Sequence, residues 1–600
     1  MHAADARRFA ASTPGAILLE STSTPSALGR SLLFHDPITW LEAHTVADVP
    51  ALLEQLEQAR AEGLYAAGYL SYEAGYAFEP TAVGTFPLAP GRLPLAAFGL
   101  YHAPQFVTSS SEASAAARGV LSLDYSLTED TYTARFGRAH AAIARGESYQ
   151  LNLTLDAHAV HTDPLALYEH LCVAQPVPFA ALFRVGEHAV LSASPELFFH
   201  LRDREILTRP MKGTARRSTD PSADAAARDR LASSPKDRAE NVMIVDLLRN
   251  DLGRIALPGS VRTENLFHIE SLPSVFQMTS DVRATLRPGV GLPELFRALF
   301  PSGSIVGAPK VHTMRLLRDL EQRARGIYTG AIGFLAPDEA VFSVAIRTAM
   351  LTGAELTLGI GSGVVADSSA ESEYRECALK ASFLLDRSFR LIESLRWDHG
   401  RCPLLDLHLT RLRASAEQLG FSLDEDRLHT ELAAHAATLD PTLTYKLRFE
   451  LALDGTLAFF APEIIGIDDS PLRVAVHPTR AQSADPWLRH KTTARHLYNS
   501  ATAEARQHGL ADVLFLNERG HLTEGAIHNI FVRHGARWRT PPLSDGVLPG
   551  VFRTHLLSTG TGIEETSLTP DDLHSADEIV LTNAVRGARP AVLVPWPANS

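Results

Sequence analysis

Strand-like runs that follow one another without an intervening helix constrain the fold of this chain most strongly. Phe179–Val185, Ala189–Ala193 and Leu197–His200 are short apolar segments in close succession, and each predicts a β-strand. Ala331–Leu335 and Ala340–Ala345 repeat this arrangement further along. A parallel barrel requires strands that alternate regularly with helices. The bunching therefore predicts an α+β fold with large sheets.

Helical periodicity separates the bunches of strands. Apolar residues recur at intervals of three and four, which predicts helices at Leu127–Arg145, Leu165–Leu171, Ala239–Arg249, Leu292–Leu299, Val311–Arg323 and Glu371–Arg387. Two polar stretches interrupt these elements. Phe106–Gly119 predicts a surface loop or a short polar helix, and Thr214–Asp229 predicts a mobile loop.

The sequence pattern changes near Arg390, and 600 residues are too many for one hydrophobic core. Leu391–Leu395 predicts a strand and Leu405–Leu419 an amphipathic helix. Tyr445–Leu453 and Leu457–Phe460, with Gly455 between them, predict a hairpin. We therefore predict a large α+β domain with large sheets over residues 1–388 and a smaller α/β domain over residues 389–600.

Composition excludes several classes of function. The chain has 69 acidic and 56 basic residues, a net charge of −13, without a lysine- or arginine-rich block, which disfavours a nucleic-acid partner. Cys172, Cys377 and Cys402 lack the spacing of a zinc site or a disulfide framework. The segment after Met1 shows no signal-peptide pattern, and no apolar run approaches 18 residues. We expect a soluble cytoplasmic protein without a membrane partner.

Two carboxylate pairs predict a magnesium site. Asp237 and Glu240 are three residues apart, as are Glu373 and Glu376, so each pair shares a helix face. Magnesium prefers oxygen ligands and keeps several waters, so one carboxylate from each pair and a substrate carboxylate would suit it. The alternative is that both pairs lie on solvated helix faces.

Glycine-rich segments predict a site for a small anion. Residues 359–363 (Gly-Ile-Gly-Ser-Gly) and 300–310 combine glycine with serine, so their amide groups can approach an anion closely. Neither segment matches a nucleotide-binding motif. Arg347 could hold a carboxylate with its planar fork, or it could form a structural salt bridge.

Six blocks in order resemble the chorismate-utilising enzymes, over about residues 15 to 387. The resemblance implies the two-sheet chorismate-binding fold of that family. The blocks are Gly146–Leu153, Ser194–Phe198, Arg209–Thr214, Ala239–Arg254, Gly303–Lys310 and Gly363–Ser368.

Single positions within these blocks indicate which reaction the resemblance implies. Relatives that form anthranilate carry alanine where Lys212 stands, and relatives that add water carry a lysine where Gln150 stands. The resemblance therefore implies amination of chorismate at C4. Val306, Gln277 and Cys377 depart from the residues usual in the family, which affects the fine recognition of chorismate.

The resemblance also assigns roles to residues of the first domain. Lys212 is the nucleophile that adds to C2 of chorismate, and Glu196 is the general acid for the departing hydroxyl. The remaining assignments are Glu240 and Glu376 as magnesium ligands, and Gln150, Ser304, Arg347, Gly361 and Gly363 as substrate-binding residues.

A nucleophilic Lys212 requires a lowered pKa. A free lysine with a pKa near 10.4 is neutral in only about one molecule in 2,500 at pH 7. Desolvation, Arg209 and the metal could lower the pKa. The ammonia also needs a source, and none of the three cysteines stands in the Gly-x-Cys-x-Gly turn of a glutaminase. We predict a separate glutamine amidotransferase subunit.

Residues 390–596 resemble the class IV pyridoxal-phosphate enzymes. The matching blocks are Leu407–Leu412, Arg489–Arg495, Leu522–Phe531, and Thr540–Leu543 with Gly546–Arg553. The alternative is an inert α/β domain. The resemblance implies that Lys491 bonds to pyridoxal 5'-phosphate and that Glu524 pairs with its ring nitrogen. It places the phosphate at Arg411, Gly550, Val551 and Asn583, while Ala584 lacks the hydroxyl found in transaminases.

Together the two resemblances imply synthesis of 4-aminobenzoate, a folate precursor, from chorismate. The first domain would form 4-amino-4-deoxychorismate, and the second would eliminate pyruvate from it. A homodimer through the second domain is a further expectation. One alternative is an anthranilate-type synthase fused to a branched-chain or D-amino-acid transaminase. Another is a non-catalytic subunit that only supports the amidotransferase.

Overall fold

A computed structural model describes residues 1–23, 30–82, 93–108, 117–218, 220–271, 275–466, 470–560 and 562–597. The chain divides into two compact units. Unit 1 comprises residues 1–159 and 163–385, and unit 2 comprises residues 160–162 and 386–600. The predicted boundary between residues 388 and 389 stays a prediction.

Unit 1 contains ten helices and twenty strands among its described residues. The helices are α1 (Ala3–Ser12), α2 (Asp48–Ala61), α3 (Glu129–Ala144), α4 (Pro164–Ala174), α5 (Pro221–Ser233), α6 (Pro235–Gly253), α7 (Leu292–Leu299), α8 (Gly303–Val306), α9 (Lys310–Glu321) and α10 (Ala370–Ala381). The strands are β1 (Ile17–Glu20), β2 (Leu32–Phe34), β3 (Thr39–Ala43), β4 (Tyr65–Leu70), β5 (Ala96–Tyr101), β6 (Gln105–Phe106), β7 (Asp124–Tyr125), β8 (Gln150–Val160), β9 (Phe179–Val185), β10 (His188–Ser194), β11 (Leu197–Arg202), β12 (Glu205–Arg209), β13 (Met211–Arg216), β14 (Arg262–Ser271), β15 (Val275–Thr285), β16 (Gly307–Ala308), β17 (Ala331–Leu335), β18 (Glu339–Val344), β19 (Thr348–Thr352) and β20 (Glu355–Val364).

The strands of unit 1 form two large sheets. The first runs β16-β8-β20-β19-β10-β9-β1-β2-β6, with β7 beside β8. The second runs β13-β15-β12-β11-β18-β17-β4-β5-β3, with β14 beside β15. The pairings described within both sheets are antiparallel, such as β9 with β10 and β11 with β18. The predicted α+β class with a large two-sheet domain is confirmed.

Apolar side chains from both sheets meet in one core cluster. Phe183 and Val190 come from the first sheet, and Tyr69, Phe334 and Val341 come from the second. Helices and strands share a second, larger cluster. Strands β17 and β18 are buried at every position, because one face meets the other sheet and the opposite face meets helices. That double burial produces the continuous apolar runs seen in the sequence.

The predicted mobile loop at Thr214–Asp229 is wrong, because most of it is β13 and α5. Asp220 caps α5, since its side chain accepts a hydrogen bond from Ala223 N, and Pro221 occupies the first turn. Arg217 forms an ion pair with Asp224 at 2.8 Å. These local signals outweigh the weak apolar periodicity of the helix. Of the loop predicted at Phe106–Gly119, residues 109–116 lie outside the described residues.

Unit 2 contains five helices and twelve strands among its described residues. The helices are α11 (Leu405–Leu419), α12 (Glu425–Ala436), α13 (His496–Gln507), α14 (Val551–Thr559) and α15 (Pro570–His574). The strands are β21 (Leu391–Asp398), β22 (Thr444–Leu451), β23 (Leu457–Phe459), β24 (Glu463–Ile464), β25 (Leu472–Val476), β26 (Asp512–Leu516), β27 (Leu522–Gly525), β28 (Asn529–His534), β29 (Arg537–Thr540), β30 (Ile563–Glu565), β31 (Glu578–Asn583) and β32 (Gly587–Leu593).

A four-stranded and an eight-stranded sheet organise unit 2. The smaller sheet runs β21-β22-β23 with β24 beside β22, and it contains the predicted hairpin between β22 and β23. The larger sheet runs β27-β26-β25-β32-β31-β28-β29-β30 and mixes parallel with antiparallel pairs. In the described parts of the chain, no helix has the length and apolar character needed to cross a bilayer.

Candidate functional site

Lys212 lies on a bulge in strand β13 of unit 1. The pairing of β13 with β15 shifts its register between Met211 and Thr214, so Lys212 and Gly213 fall in the irregular segment. Gly213 has a φ of +84°, a conformation that favours glycine. A Cβ at this position would lie 2.9 Å from Asp237 Cβ on α6. A bulge turns a side chain away from the direction that the regular pleat would give it. In β13 the side chain affected is that of Lys212.

Gln277 on β15 secures this bulge with both ends of its amide. Its Nε2 donates to Gly213 O at 2.8 Å, and its Oε1 accepts from Thr214 Oγ1 at 2.9 Å. Gln277 is 6% exposed, so water cannot readily replace these bonds. The sequence analysis noted this residue only as a departure from the family pattern.

The Gln277→Leu variant is expected to make Lys212 less reactive towards amine-specific reagents. Without the amide the bulge loses two hydrogen bonds, and the ammonium group gains access to water. A rise of one unit in the pKa of Lys212 lowers its neutral fraction about tenfold. Labelling of Lys212 at pH 8, followed by peptide mass spectrometry, measures this rate. The exposed Gln58→Leu on α2 is the matched control, and equal labelling of both variants would contradict the role of Gln277.

Burial lowers the pKa of Lys212, and the positive charge of Lys380 lowers it further. The carboxylates of Glu240, Glu196 and Glu376 act in the opposite direction. The structure therefore brings one lysine together with three carboxylates that the sequence analysis had selected. Burial is the largest of these influences, so the amine is poised towards its neutral, nucleophilic form.

The sequence analysis did not identify Lys380 as a residue of this site, and it expected Arg209 to lower the pKa of Lys212. Lys380 Nζ lies 2.6 Å from Glu376 Oε1 and donates to Gly361 O at 3.0 Å. The sequence feature that could have identified Lys380 is its position four residues after Glu376, on the same helix face. Arg209 instead forms a two-pronged ion pair with Asp281, at 2.6 and 3.0 Å. Lys380, and not Arg209, is the cation whose charge lowers the pKa of Lys212.

Glu196 is a buried carboxyl group with a raised pKa. It lies between β10 and β11 and is 5% exposed. Burial raises its pKa to about 7, although a hydrogen bond from Ser304 and the charge of Lys212 oppose the rise. Ser304 Oγ donates to Glu196 Oε1 at 2.7 Å. A carboxyl group that holds its proton near neutral pH is suited to general-acid chemistry.

The negative charge of Glu376 acts on the carboxyl group of Glu240. Burial raises the pKa of Glu240, and the negative charges of Asp237 and Glu376 add to the rise. Glu373 Oε1 accepts from Ser368 Oγ at 2.7 Å, while its Oε2 is buried without a hydrogen-bond partner. The carboxylates of Glu240 and Glu376 and the unpartnered oxygen of Glu373 are oxygen ligands of the kind that a divalent cation prefers. In the described part of the chain, no three candidate ligand side chains converge.

Gln150 and Gly363 complete the surroundings of the lysine. A Cβ on Gly363 would lie 3.0 Å from Gln150 Nε2 and 3.6 Å from Lys212 Nζ. Gln150 is 1% exposed, and its Oε1 has no hydrogen-bond partner among the described residues. Gly361 is needed for another reason, because a Cβ there would lie 2.9 Å from Leu153 O on β8.

Arg347 retains its charge without a carboxylate partner among the described residues. Its Nη1 donates to Gln175 Oε1, and burial lowers its pKa to about 10. The structural salt bridge considered from the sequence is thus not formed within the described chain. A half-buried guanidinium with an uncompensated charge is suited to an anionic ligand.

Lys491 in unit 2 has a strongly lowered pKa. Burial lowers it to about 7, and the charges of Arg411 and Arg495 add to the effect. The carboxylates of Glu393 and Glu524 oppose it. A free lysine, with a pKa of about 10.4, is almost entirely protonated at neutral pH, so this shift favours the neutral amine. This amine can therefore act as a nucleophile or a base without a further change in its surroundings.

Glu524 on β27 is held by three hydrogen-bond donors. Tyr498 Oη donates to Oε1 at 2.8 Å, and Asn529 Nδ2 and Leu548 N donate to Oε2 at 2.9 and 3.1 Å. Burial nevertheless raises the pKa of Glu524 to about 7. A positive group beside this carboxylate would stabilise its ionised form, and a protonated pyridine nitrogen has that charge.

Arg411 lies beside the turn that begins α14. Its Nε and Nη2 bind Glu393 at 3.0 and 2.6 Å, and Nη1 points to Pro549 O at 3.4 Å. A Cβ on Gly550 would lie 1.8 Å from Asn529 Oδ1, so only glycine fits at the start of this helix. The arrangement of a guanidinium at a helix N-terminus fits a phosphate group.

Asn583 lies at the end of β31, and its side chain accepts hydrogen bonds from the backbone of the following turn. Asn583 Oδ1 accepts from Val585 N at 3.1 Å and from Arg586 N at 2.7 Å. A cavity of about 230 Å³ opens beside this turn, and it is lined by Arg396, Cys402, Pro403, Leu404, His408, Phe552, His555, Ala584 and Gly587. Lys491 and Glu524 do not line the cavity. It therefore lies beside the residues predicted to bind the phosphate rather than beside the reactive lysine.

Two family models match the chain. The chorismate binding enzyme model matches residues 32–386, and the amino-transferase class IV model matches residues 390–594. The second match implies pyridoxal phosphate as the cofactor of unit 2. The residues around Glu524 and Arg411 fit the two ends of that cofactor.

Individual relatives resemble the first part of the chain. Aminodeoxychorismate synthase component 1 of Salmonella typhimurium is 42% identical over 261 residues, covering 43% of this chain and 58% of the relative. Anthranilate synthase component 1 of Streptomyces coelicolor is 38% identical over 262 residues, covering 43% and 51%. The chain thus matches little more than half the length of these curated relatives.

A solved structure extends the likeness to the fold. Anthranilate synthase component I from Streptococcus pneumoniae has a TM-score of 0.52 and 25% sequence identity. The match covers 60% of this chain and 93% of that structure. The first family model alone spans more than half of the 600 residues. This chain therefore belongs to the chorismate binding enzyme family.

Proposed function

We propose that the chain makes 4-aminobenzoate from chorismate in two steps, one in each unit. Unit 1 would replace the C4 hydroxyl of chorismate by an amino group, and unit 2 would eliminate pyruvate from the product. The observation that carries the proposal is Lys212, a half-buried lysine whose pKa is influenced by Glu196, Glu240 and Glu376. The identity to a relative named aminodeoxychorismate synthase component 1 supports it.

The first step uses Lys212 and Glu196 in complementary protonation states. The neutral Lys212 Nζ forms a bond to C2 of chorismate, the two conjugated double bonds of the ring shift, and the C4–O bond breaks. Glu196 donates its proton to the departing hydroxyl, which leaves as water. Ammonia then attacks C4, both double bonds shift back, the bond to Lys212 breaks, and the new ammonium group returns a proton to Glu196. Chorismate and ammonia thus give 4-amino-4-deoxychorismate and water.

Magnesium would hold the substrate in this step. Glu240 and Glu376 are the ligands that we propose, since burial and the negative charges of Asp237 and Glu376 raise the pKa of Glu240 although Lys212 and Lys236 oppose the rise. The ion supplies a fixed positive charge for a chorismate carboxylate. Arg347 and the backbone near Gly363 would bind the remaining anionic groups, with Gln150 and Ser304 beside the reacting carbons.

The pH dependence of amination follows from these two groups. Glu196 must be protonated, so the rate is expected to fall as the pH rises through about 7. Lys212 must be neutral, so the rate is also expected to fall on the acid side, below its lowered pKa. The profile of kcat against pH for ammonia-dependent amination should be bell-shaped. Glu196→Gln should remove the alkaline limb and reduce the rate, and an unchanged alkaline limb would exclude Glu196 as the acid.

The second step uses Lys491 as a base within unit 2. Pyridoxal phosphate, when bound, supplies an electron sink for the carbon that carries the amine. Glu524 would pair with its ring nitrogen, while Arg411, Gly550, Val551 and Asn583 would hold its phosphate. Lys491 Nζ would take the proton from C4 of 4-amino-4-deoxychorismate. The C3–O bond then breaks, which leaves aromatic 4-aminobenzoate and releases pyruvate.

The partners are proposed on the same grounds. A separate glutamine amidotransferase would supply ammonia, because none of the three cysteines stands in a glutaminase turn. Efficient use of glutamine by the purified chain alone would contradict this proposal. The cytoplasmic location and the homodimer through unit 2 stay predictions from the sequence.

One incubation tests the whole proposal. The purified chain receives chorismate, ammonia and magnesium, with or without pyridoxal phosphate, and products are separated and identified by mass spectrometry. We expect 4-amino-4-deoxychorismate without the cofactor and 4-aminobenzoate plus pyruvate with it. Omission of magnesium should stop both. The ortho isomer, anthranilate, would support the alternative of an anthranilate-type synthase fused to a transaminase.

A further inference from the structure

Arg495 is a cation in unit 2 whose charge is not matched by a counter-ion. It stands directly before α13, four residues after Lys491. Its Nη2 donates to the carbonyl oxygen of Ala526. Its Nε is buried and has no hydrogen-bond partner among the described residues. Within the same described part of the chain, Arg495 forms no ion pair with a carboxylate.

The nearby carboxylates are already engaged. Glu524 accepts three hydrogen bonds, including one from Tyr498. Asp512 binds His528 Nδ1 at 2.7 Å and accepts from the backbone of β27–β28. Arg411 shows the contrast, because Glu393 neutralises it through two hydrogen bonds. Of the two arginines whose charges act on Lys491, Arg411 is paired with Glu393, while Arg495 has no ion-pair partner among the described residues.

Arg495 also lies close to the reactive groups of unit 2. Its guanidinium carbon is 5.4 Å from the ring centroid of Tyr498, whose hydroxyl donates to Glu524. Burial lowers the pKa of Arg495, and its charge lowers the pKa of Lys491. A partly buried charge without a partner is costly. An anion that arrives with the ligand would remove that cost.

We propose that Arg495 binds a carboxylate of the substrate, so that unit 2 selects amines that carry a carboxylate group. The planar fork of a guanidinium matches a carboxylate in shape and charge. The identity of the amine rests on the proposed function. 4-Amino-4-deoxychorismate carries two carboxylates, and 4-aminobenzoate retains one of them.

The test compares an acid with its neutral amide. The full chain, loaded with pyridoxal phosphate, is titrated with 4-aminobenzoate and with 4-aminobenzamide, and Kd is measured by calorimetry. Wild type should bind the acid at least tenfold more tightly than the amide. Arg495→Gln should lose that preference, a change of about 1.4 kcal/mol for each factor of ten. Arg506→Gln, at an exposed position of α13, should keep it.

Two results would overturn the inference. One is a wild type without a preference for the acid, and the other is an Arg495→Gln variant that keeps the preference, as expected if Arg495 contacts only the cofactor. Arg495→Lys keeps the positive charge and should retain part of the preference. This variant separates loss of the charge from a failure to fold. Pyruvate release from 4-amino-4-deoxychorismate is measured separately. Its absence in wild type would defeat the proposed function, while an Arg495-dependent preference would still stand.

Discussion

Replacement of Lys212 by alanine is expected to reduce ammonia-dependent amination of chorismate by about 10³-fold or more. Loss of a nucleophile that acts together with a general acid has effects of this size or larger. The half-buried side chain lies among Glu196, Glu240 and Glu376, which act on its pKa, and no lysine other than Lys212 is proposed as the nucleophile. Formation of 4-amino-4-deoxychorismate, followed by liquid chromatography and mass spectrometry, measures the loss.

Lys236→Ala is the control for this experiment. Lys236 is an exposed lysine on α6, 4.0 Å from Glu240 Oε1, so it tests the loss of a nearby positive charge without loss of the nucleophile. We expect a change of less than about threefold, as is usual for exposed ion pairs. Wild-type amination by Lys212→Ala would refute the covalent role of Lys212.

Replacement of Lys491 by alanine is expected to abolish pyruvate release and leave amination intact. Lys491 is the half-buried lysine of unit 2 whose pKa is lowered to about 7, so its removal takes away both the amine proposed to bond to the cofactor and the base. With chorismate, ammonia, magnesium and pyridoxal phosphate, the variant should accumulate 4-amino-4-deoxychorismate. A lactate dehydrogenase assay quantifies the pyruvate.

Lys446→Ala provides the matched control in the same unit. Lys446 lies on β22 and pairs with Glu463 at 2.9 Å, in the smaller sheet. Its pyruvate release should match that of wild type. If Lys491→Ala still released pyruvate from added 4-amino-4-deoxychorismate, the assignment of unit 2 as a lyase would fail. A variant defective in both steps would show instead that the substitution damages the whole chain.

Strands and helices with strong periodicity were predictable from the sequence. Phe179–Val185, Leu292–Leu299 and Leu405–Leu419 have the predicted bounds in the structure, because neighbouring residues alone determine where an apolar face repeats. Helix α5 was missed, since its signals are a cap and a proline rather than an apolar stripe. Mean apolar character was a poor guide for that short surface helix.

Spacing alone does not distinguish the members of each carboxylate pair, and only the family resemblance selected Glu240 and Glu376. Asp237 and Glu240 share the same spacing as Glu373 and Glu376. Only the packing of α6 places Asp237 against Gly213 and leaves Glu240 to act on Lys212. Arg209 shows the same limit, since its partner Asp281 lies 72 residues away in the chain.

By itself the sequence determined the α+β class, the two family resemblances and the two lysines, Lys212 and Lys491, on which the proposed chemistry depends. These features are local, because motifs and periodicity are written in neighbouring residues. The tertiary structure decided which groups surround each lysine. It added Gln277 and Lys380 to the first and Arg495 to the second. Burial and charge set the pKa of a lysine, and both depend on segments that are distant in sequence and meet only in the folded chain.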